Sequence, residues 1–133
     1  MNLDRLSPRA RLVVRLLENT RKQKVRWQET VKDNIFEVSL PEYSLQISKG
    51  EYFDDSKGAE PIELYTVQIY NEEGKLIDEF NDEQITLEPH PELNINAFVA
   101  MQEIYERARG FVLGSDRAIS EIIEFLESDE LPF

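Results

Sequence analysis

The stretch that decides the fold is FEVSLPEYSLQIS, residues 36–48. Apolar and polar side chains alternate on both sides of the dipeptide Pro41-Glu42. The apolar members are Phe36, Val38 and Leu40 before it and Tyr43, Leu45 and Ile47 after it. A period of two directs one face of a strand to a core and the other to solvent. The stretch therefore predicts two antiparallel strands joined by a tight turn.

Alternation continues further along the chain. Residues 65–69 and 76–80 predict two more strands, and 71–74 (NEEG) places an Asn and a Gly in the turn between them. Both residues tolerate the backbone angles of a tight hairpin turn. Residues 50–61 predict a polar loop, and 25–27 either a short first strand or a cover for the core. We expect a four-stranded antiparallel meander within residues 34–80.

Helical periodicity is found on both sides of this sheet. Ser7 and Pro8 suit the N-cap and first position of a helix over 8–22. After an acidic connection over 81–93, residues 94–127 predict two helices, the first closed by Gly114 and the second capped by Ser115. The apolar positions of the second form a stripe that consists of Ala118, Ile119, Ile122, Ile123 and Leu126.

These elements predict an α+β protein. An N-terminal helix precedes the meander, and two C-terminal helices pack on one face of the sheet and bury their stripes. The length of 133 residues suits a single domain over 1–133, with a tail over 128–133. The absence of Cys excludes disulfides and thiolate metal sites, and no apolar run is long enough to cross a membrane. We expect a soluble, cytoplasmic protein without a membrane partner.

Charge is distributed unevenly. Residues 1–32 hold nine basic and three acidic groups, a net +6, and the remaining residues hold six basic and 24 acidic groups, a net −18, which sum to −12. The two parts attract each other, within one chain or between copies in a homodimer. A −18 surface repels a phosphate backbone, so direct nucleic-acid binding is not expected.

The sequence predicts no enzyme, no cofactor and no metal site. The phosphate-binding, nucleophile-elbow and zinc-binding motifs are absent. His90, the only histidine, is expected to be an exposed loop residue between two prolines. The acids of the long loop lack the spacing of a calcium-binding loop, so we expect them to be solvated. They are Glu51, Asp54, Asp55 and Glu60. A metal-dependent hydrolase built from them is a distant alternative.

Two segments are candidate protein-binding sites. Arg11, Arg15 and Lys22 share a face of the first helix, which is either an ordinary solvated face or a basic docking strip. The second segment is the chain end, Asp129, Glu130, Leu131, Pro132 and Phe133. Here Phe133 is suited to an apolar pocket, and the acids before it are suited to a basic surface.

The last seven residues, ESDELPF, resemble the acidic tail tip of bacterial single-stranded-DNA-binding proteins. The resemblance implies a peptide that docks on DNA replication, recombination and repair proteins. It does not extend to the body, because that family has an OB barrel where this chain predicts helices around a meander. The alternative is a frayed helix end whose Leu131 and Phe133 pack on the domain's own core.

The leading hypothesis is a non-enzymatic interaction module. Its acidic surface, and the Leu-Pro-Phe end if the resemblance holds, would bind a basic protein such as a DNA-maintenance factor. A second hypothesis is a small acidic chaperone or immunity-type inhibitor that masks a basic target.

Overall fold

The computed structural model describes residues 6–58, 60–87 and 95–128. An N-terminal helix, an antiparallel sheet and two C-terminal helices follow one another, which confirms the α+β class. The elements are α1 (Pro8–Arg21), β1 (Gln28–Glu29), β2 (Ile35–Ser39), β3 (Tyr43–Tyr52), β4 (Ile62–Asn71), β5 (Leu76–Asn81), α2 (Ala97–Leu113) and α3 (Ser115–Glu127). Two short 3-10 turns, Asp55–Lys57 and Asp82–Gln84, lie in the connections.

The sheet is a meander in which every strand pairs with the next one along the chain. It has five strands rather than the expected four, because the two-residue β1 pairs Gln28 with Glu37 of β2. Trp27, just before β1, is buried, and its Nε1 donates a hydrogen bond of 3.2 Å to Oγ1 of Thr20. Of the two alternatives for residues 25–27, Trp27 covers the core, and the short first strand begins one residue later, at Gln28.

β3 and β4 are longer than the sequence predicted. Gly50 pairs with Leu64 and Tyr52 with Ile62, so the loop expected over 50–61 is reduced to 53–61. Backbone hydrogen bonds hold this end of the hairpin, and they do not require apolar side chains. The polar sequence therefore concealed the last residues of β3.

The core lies between one face of the sheet and the helices α1 and α2. α2 packs across β1 to β4, and α1 packs along α2. The ring of Tyr65 in β4 contacts Phe98 and Tyr105 of α2, with centroids 5.4 and 5.6 Å apart. Such tilted aromatic contacts add to the stabilisation from burial alone.

α2 ends at Gly114, as predicted, in the left-handed conformation (φ 67°, ψ 41°). The N–H of Gly114 donates to the carbonyl oxygens of Gly110 and Phe111, which closes the last turn. Gly114 also occupies the N-cap position of α3, so the prediction that Ser115 caps this helix is wrong.

α3 has no buried residue, and the expectation that its apolar stripe packs on the sheet is wrong. α1 and α2 already cover the inner face of the sheet, and α3 contacts α2 near their junction. Periodicity shows that a helix has an apolar face, but it does not show which molecule covers that face.

Candidate protein-interaction surface

The main candidate surface is the α3 stripe, formed by Ala118, Ile119, Ile122, Ile123 and Leu126. Its four large side chains are between 47% and 60% exposed. At about 3.6 residues per turn, the five positions cover about 140° of the helix circumference. Contiguous apolar surface of this kind marks a site of interaction on a folded protein.

Local interactions support α3 as a helix without a tertiary cover. The carbonyl oxygen of Gly114 accepts the N–H of Ala118 at 2.9 Å, and Asp116 lies in the first turn, where the helix dipole favours an acid. Arg117 pairs with Glu121 one turn later, at 2.9 Å. An isolated helix of 13 residues is nevertheless only marginally stable in water. Burial of the stripe against a partner would therefore stabilise α3.

The polar face of α3 is acidic. Four carboxylates stand against the single guanidinium of Arg117, so the helix carries a net −3. Asp116 and Glu127 flank the stripe on the side of Ile123, and Glu121 flanks the opposite side. The exposed Phe125 lies between Ala118 and Glu121, so negative charge borders the apolar surface directly on the Ile123 side and beyond Phe125 on the other.

The predicted basic strip on α1 is present as an exposed face. Arg11, Arg15 and Lys22 are all exposed. Arg15 Nη1 lies 3.2 Å from a carboxylate oxygen of Glu18 on the same helix, which neutralises part of the strip. The three side chains are therefore exposed on one face of α1, and the docking strip stays a prediction.

Two other arginines of α1 bind the acidic part of the same chain. Arg9 Nε donates to Asp78 of β5 at 2.9 Å, and Arg21 Nε donates to Glu103 of α2 at 2.6 Å. Sequence reasoning missed these pairs. The opposite charges of residues 1–32 and 33–133 were the signal, but charge alone does not identify partners.

These ion pairs shift the titration of their acids. The hydrogen bond from Arg21, helped by one from Arg107 and opposed by desolvation, lowers the pKa of Glu103 to about 2. The hydrogen bond from Arg9 lowers the pKa of Asp78. Both acids therefore remain charged at neutral pH, as structural groups that hold α1 to α2 and β5.

A cleft of about 560 Å³ lies at the junction of α2 and α3. Its apolar wall includes Val25, Trp27 and Phe111, and acids and arginines from α2 and α3 line the remainder. Glu103, one of these acids, already forms ion pairs with Arg21 and Arg107. Three acids and two arginines nearly balance in the lining, and no His or Cys is among the lining residues, so the cleft does not define a reaction.

Two of the loop acids belong to local secondary structure. Asp54 accepts the N–H of Ser56 at 2.9 Å and caps the first 3-10 turn, while Glu51 lies in β3. In the ranges 6–58, 60–87 and 95–128, no group of three or more acids or histidines is placed to hold a metal ion. His90 and the predicted docking end, Asp129 to Phe133, lie outside the described residues.

Comparison with protein-family models, curated proteins and solved structures finds no match to this chain. Within the described part of the chain, none of the helices combines the length and apolar character that crossing a bilayer requires.

Proposed function

We propose that this chain is a non-enzymatic interaction module that binds a basic protein partner through α3. The observation that carries the proposal is the exposed α3 stripe on a helix of net −3. When a partner removes exposed apolar side chains from water, the free energy of the complex is lowered. The acidic surroundings favour a basic partner and accelerate its approach.

A narrower form of the same proposal identifies the basic partner as a DNA-maintenance factor, as the chain end suggests. The segment Asp129–Phe133 follows α3 in the sequence, separated from it by Ser128 alone. In this form both segments contact one basic partner, with α3 supplying apolar area and the chain end supplying Phe133.

The test compares two double variants with equal losses of exposed apolar surface. Ile122→Ser with Ile123→Ser alters the stripe, and Leu76→Ser with Ile77→Ser alters the exposed side chains of β5, which are 50% and 51% exposed. Proteins recovered with the wild-type chain are identified by mass spectrometry, and binding is then measured with the purified partner. We expect the stripe variant to lose binding by about tenfold or more and the β5 variant to retain it.

Equal binding by all three chains would contradict the proposal. A chain ending at Glu130 tests the narrower form separately. Loss of affinity on removal of residues 131–133, with the stripe intact, is the expected result if the chain end contributes.

A further inference from the structure

We infer that the partner of α3 is an apolar groove on another protein, lined by at least two elements and rimmed by Lys and Arg. The inference depends on the proposed function, because it describes the shape and charge of the surface that the α3 stripe binds. It follows from the width of the stripe, from the positions of the acids beside it and from the charge of the chain.

The width of the stripe indicates a groove rather than a single helix. Two helices that pair alone meet through a narrow seam, in which two positions of every seven are apolar. The five positions of the α3 stripe cover about 140°. Ala118 and Ile123 lie at opposite edges, so one partner element cannot cover both of them. A helix that inserts into a groove is covered from two sides.

The acids beside the stripe indicate the charge of the rim. Asp116 and Glu127 border one edge and Glu121 borders the other, so closing a groove over the stripe brings rim residues next to these carboxylates. A neutral or acidic rim would desolvate Asp116 and Glu127 without compensation, and would leave Glu121 with only its pair to Arg117. Lys and Arg at the rim supply charge-assisted hydrogen bonds and keep the stripe in register.

A second copy of this chain fits the α3 stripe poorly. Each copy carries a net charge of −12, and pairing two α3 helices places their acidic borders together. The stripe of each copy has only four large side chains, all about half exposed. Two helices paired alone would then bury less than the roughly 1,200 Å² of a stable interface.

The test uses the full chain and two synthetic probes. One probe is a two-helix hairpin with Leu on its open face and Lys along the rim, and its twin carries Glu in place of every Lys. We expect the chain to bind the Leu/Lys hairpin and not the Leu/Glu twin. We also expect the affinity to fall as NaCl is raised, measured by isothermal titration calorimetry.

Two pairs of variants separate the apolar and charged contributions. Ile122→Ser with Ile123→Ser is expected to weaken binding of the Leu/Lys hairpin by about tenfold, while Leu76→Ser with Ile77→Ser leaves it unchanged. Glu121→Gln with Glu127→Gln is expected to weaken binding and flatten its salt dependence. Its control, Glu72→Gln with Glu73→Gln, changes the net charge by the same amount, in the β4–β5 turn rather than in α3. Circular dichroism confirms the fold of each variant.

The outcomes distinguish this inference from the proposed function. Equal affinity for both probes would contradict the basic rim but not binding through α3. The same holds if the affinity depends on the stripe but changes neither in the Glu121→Gln, Glu127→Gln variant nor with salt. A dimer in sedimentation velocity that dissociates in the stripe variant overturns the inference and makes a second copy the occupant. Probe binding that is unchanged in the stripe variant contradicts both the inference and the proposed function.

Discussion

At the scale of single residues, Asp82 extends the sheet by means of its side chain. The last pair between β4 and β5 joins Thr66 to Asn81, and the chain then turns away. Oδ1 of Asp82 accepts the buried N–H of Tyr65 at 2.8 Å, which replaces the backbone acceptor that a longer β5 would supply. Desolvation raises the pKa of Asp82, partly offset by the hydrogen bond from Tyr65.

Two substitutions of Asp82 test its role as a hydrogen-bond acceptor separately from the effect of its charge. Asp82→Ala leaves the Tyr65 N–H without its acceptor and is expected to lower the free energy of unfolding by about 1–3 kcal/mol. Asp82→Asn retains an acceptor and removes a desolvated charge, so its stability at pH 7 should equal or exceed that of the wild type. Urea unfolding measures both, and equal losses for Ala and Asn would contradict this account.

Glu103 gives the fold a defined response to acid. Its pKa of about 2 lies below the ordinary 4.5, so the charged form stabilises the folded state. This contribution is complete above about pH 4.5 and is lost as the pH falls towards 2. We expect Glu103→Gln to be about 1 kcal/mol less stable than wild type at pH 7, a value reduced by solvent screening. The difference should disappear near pH 2.

Urea unfolding across this pH range tests the role of Glu103. Glu106→Gln on the same helix is the matched control, because Glu106 is exposed. If the free energy of unfolding of Glu103→Gln stays below that of wild type by the same amount from neutral pH to pH 2, the ion pair with Arg21 is not the cause of the difference.

At the scale of elements, local patterns predicted the helices and the two central hairpins. Ser7 accepts the N–H of Ala10 and starts α1, and the β4–β5 turn forms at Asn71–Gly74, both as expected. The two-residue β1 was left open because it is too short for alternation to show. The uncovered α3 was missed for a different reason: the same periodicity is typical of a helix buried by its own chain and of one buried by a partner.

The difference between α2 and α3 is measurable with one substitution in each. Ile104 of α2 is fully buried, whereas Ile122 of α3 is 57% exposed. Replacement by Ala removes the same atoms at both sites. We expect Ile104→Ala to cost about 2–5 kcal/mol and Ile122→Ala less than about 0.5 kcal/mol. A large cost at Ile122 in thermal unfolding would show that α3 packs on its own domain.

At the scale of the whole molecule, attraction and repulsion between charges act together. α1 is held to the acidic part of the chain by Arg9 and Arg21, a consequence of the charge asymmetry visible in the sequence. The net charge of −12 opposes compaction. The apolar stripe of α3 was predicted from the sequence but expected to be buried, since periodicity and charge do not show what is exposed.

Repulsion should dominate the response to salt. The pairs of Arg9 and Arg21 are partly exposed and contribute little each, whereas the acids greatly outnumber the bases over residues 33–133. We expect the melting temperature to rise as NaCl increases from about 0.02 to about 0.3 M, because screening weakens the repulsion. KCl should act equally, and a fall in melting temperature would show that the ion pairs prevail.

The left-handed Gly114 joint also has a consequence for how this protein can change. α3 begins after that one residue and has no buried residue, so its thirteen positions have to form a helix and contact α2 but have no place in the core to keep. In the proposed function, their sequence can therefore change with the partner while the body stays the same. By the same reasoning, α3 grafted behind another helix that ends in Gly should carry its binding specificity to a new scaffold.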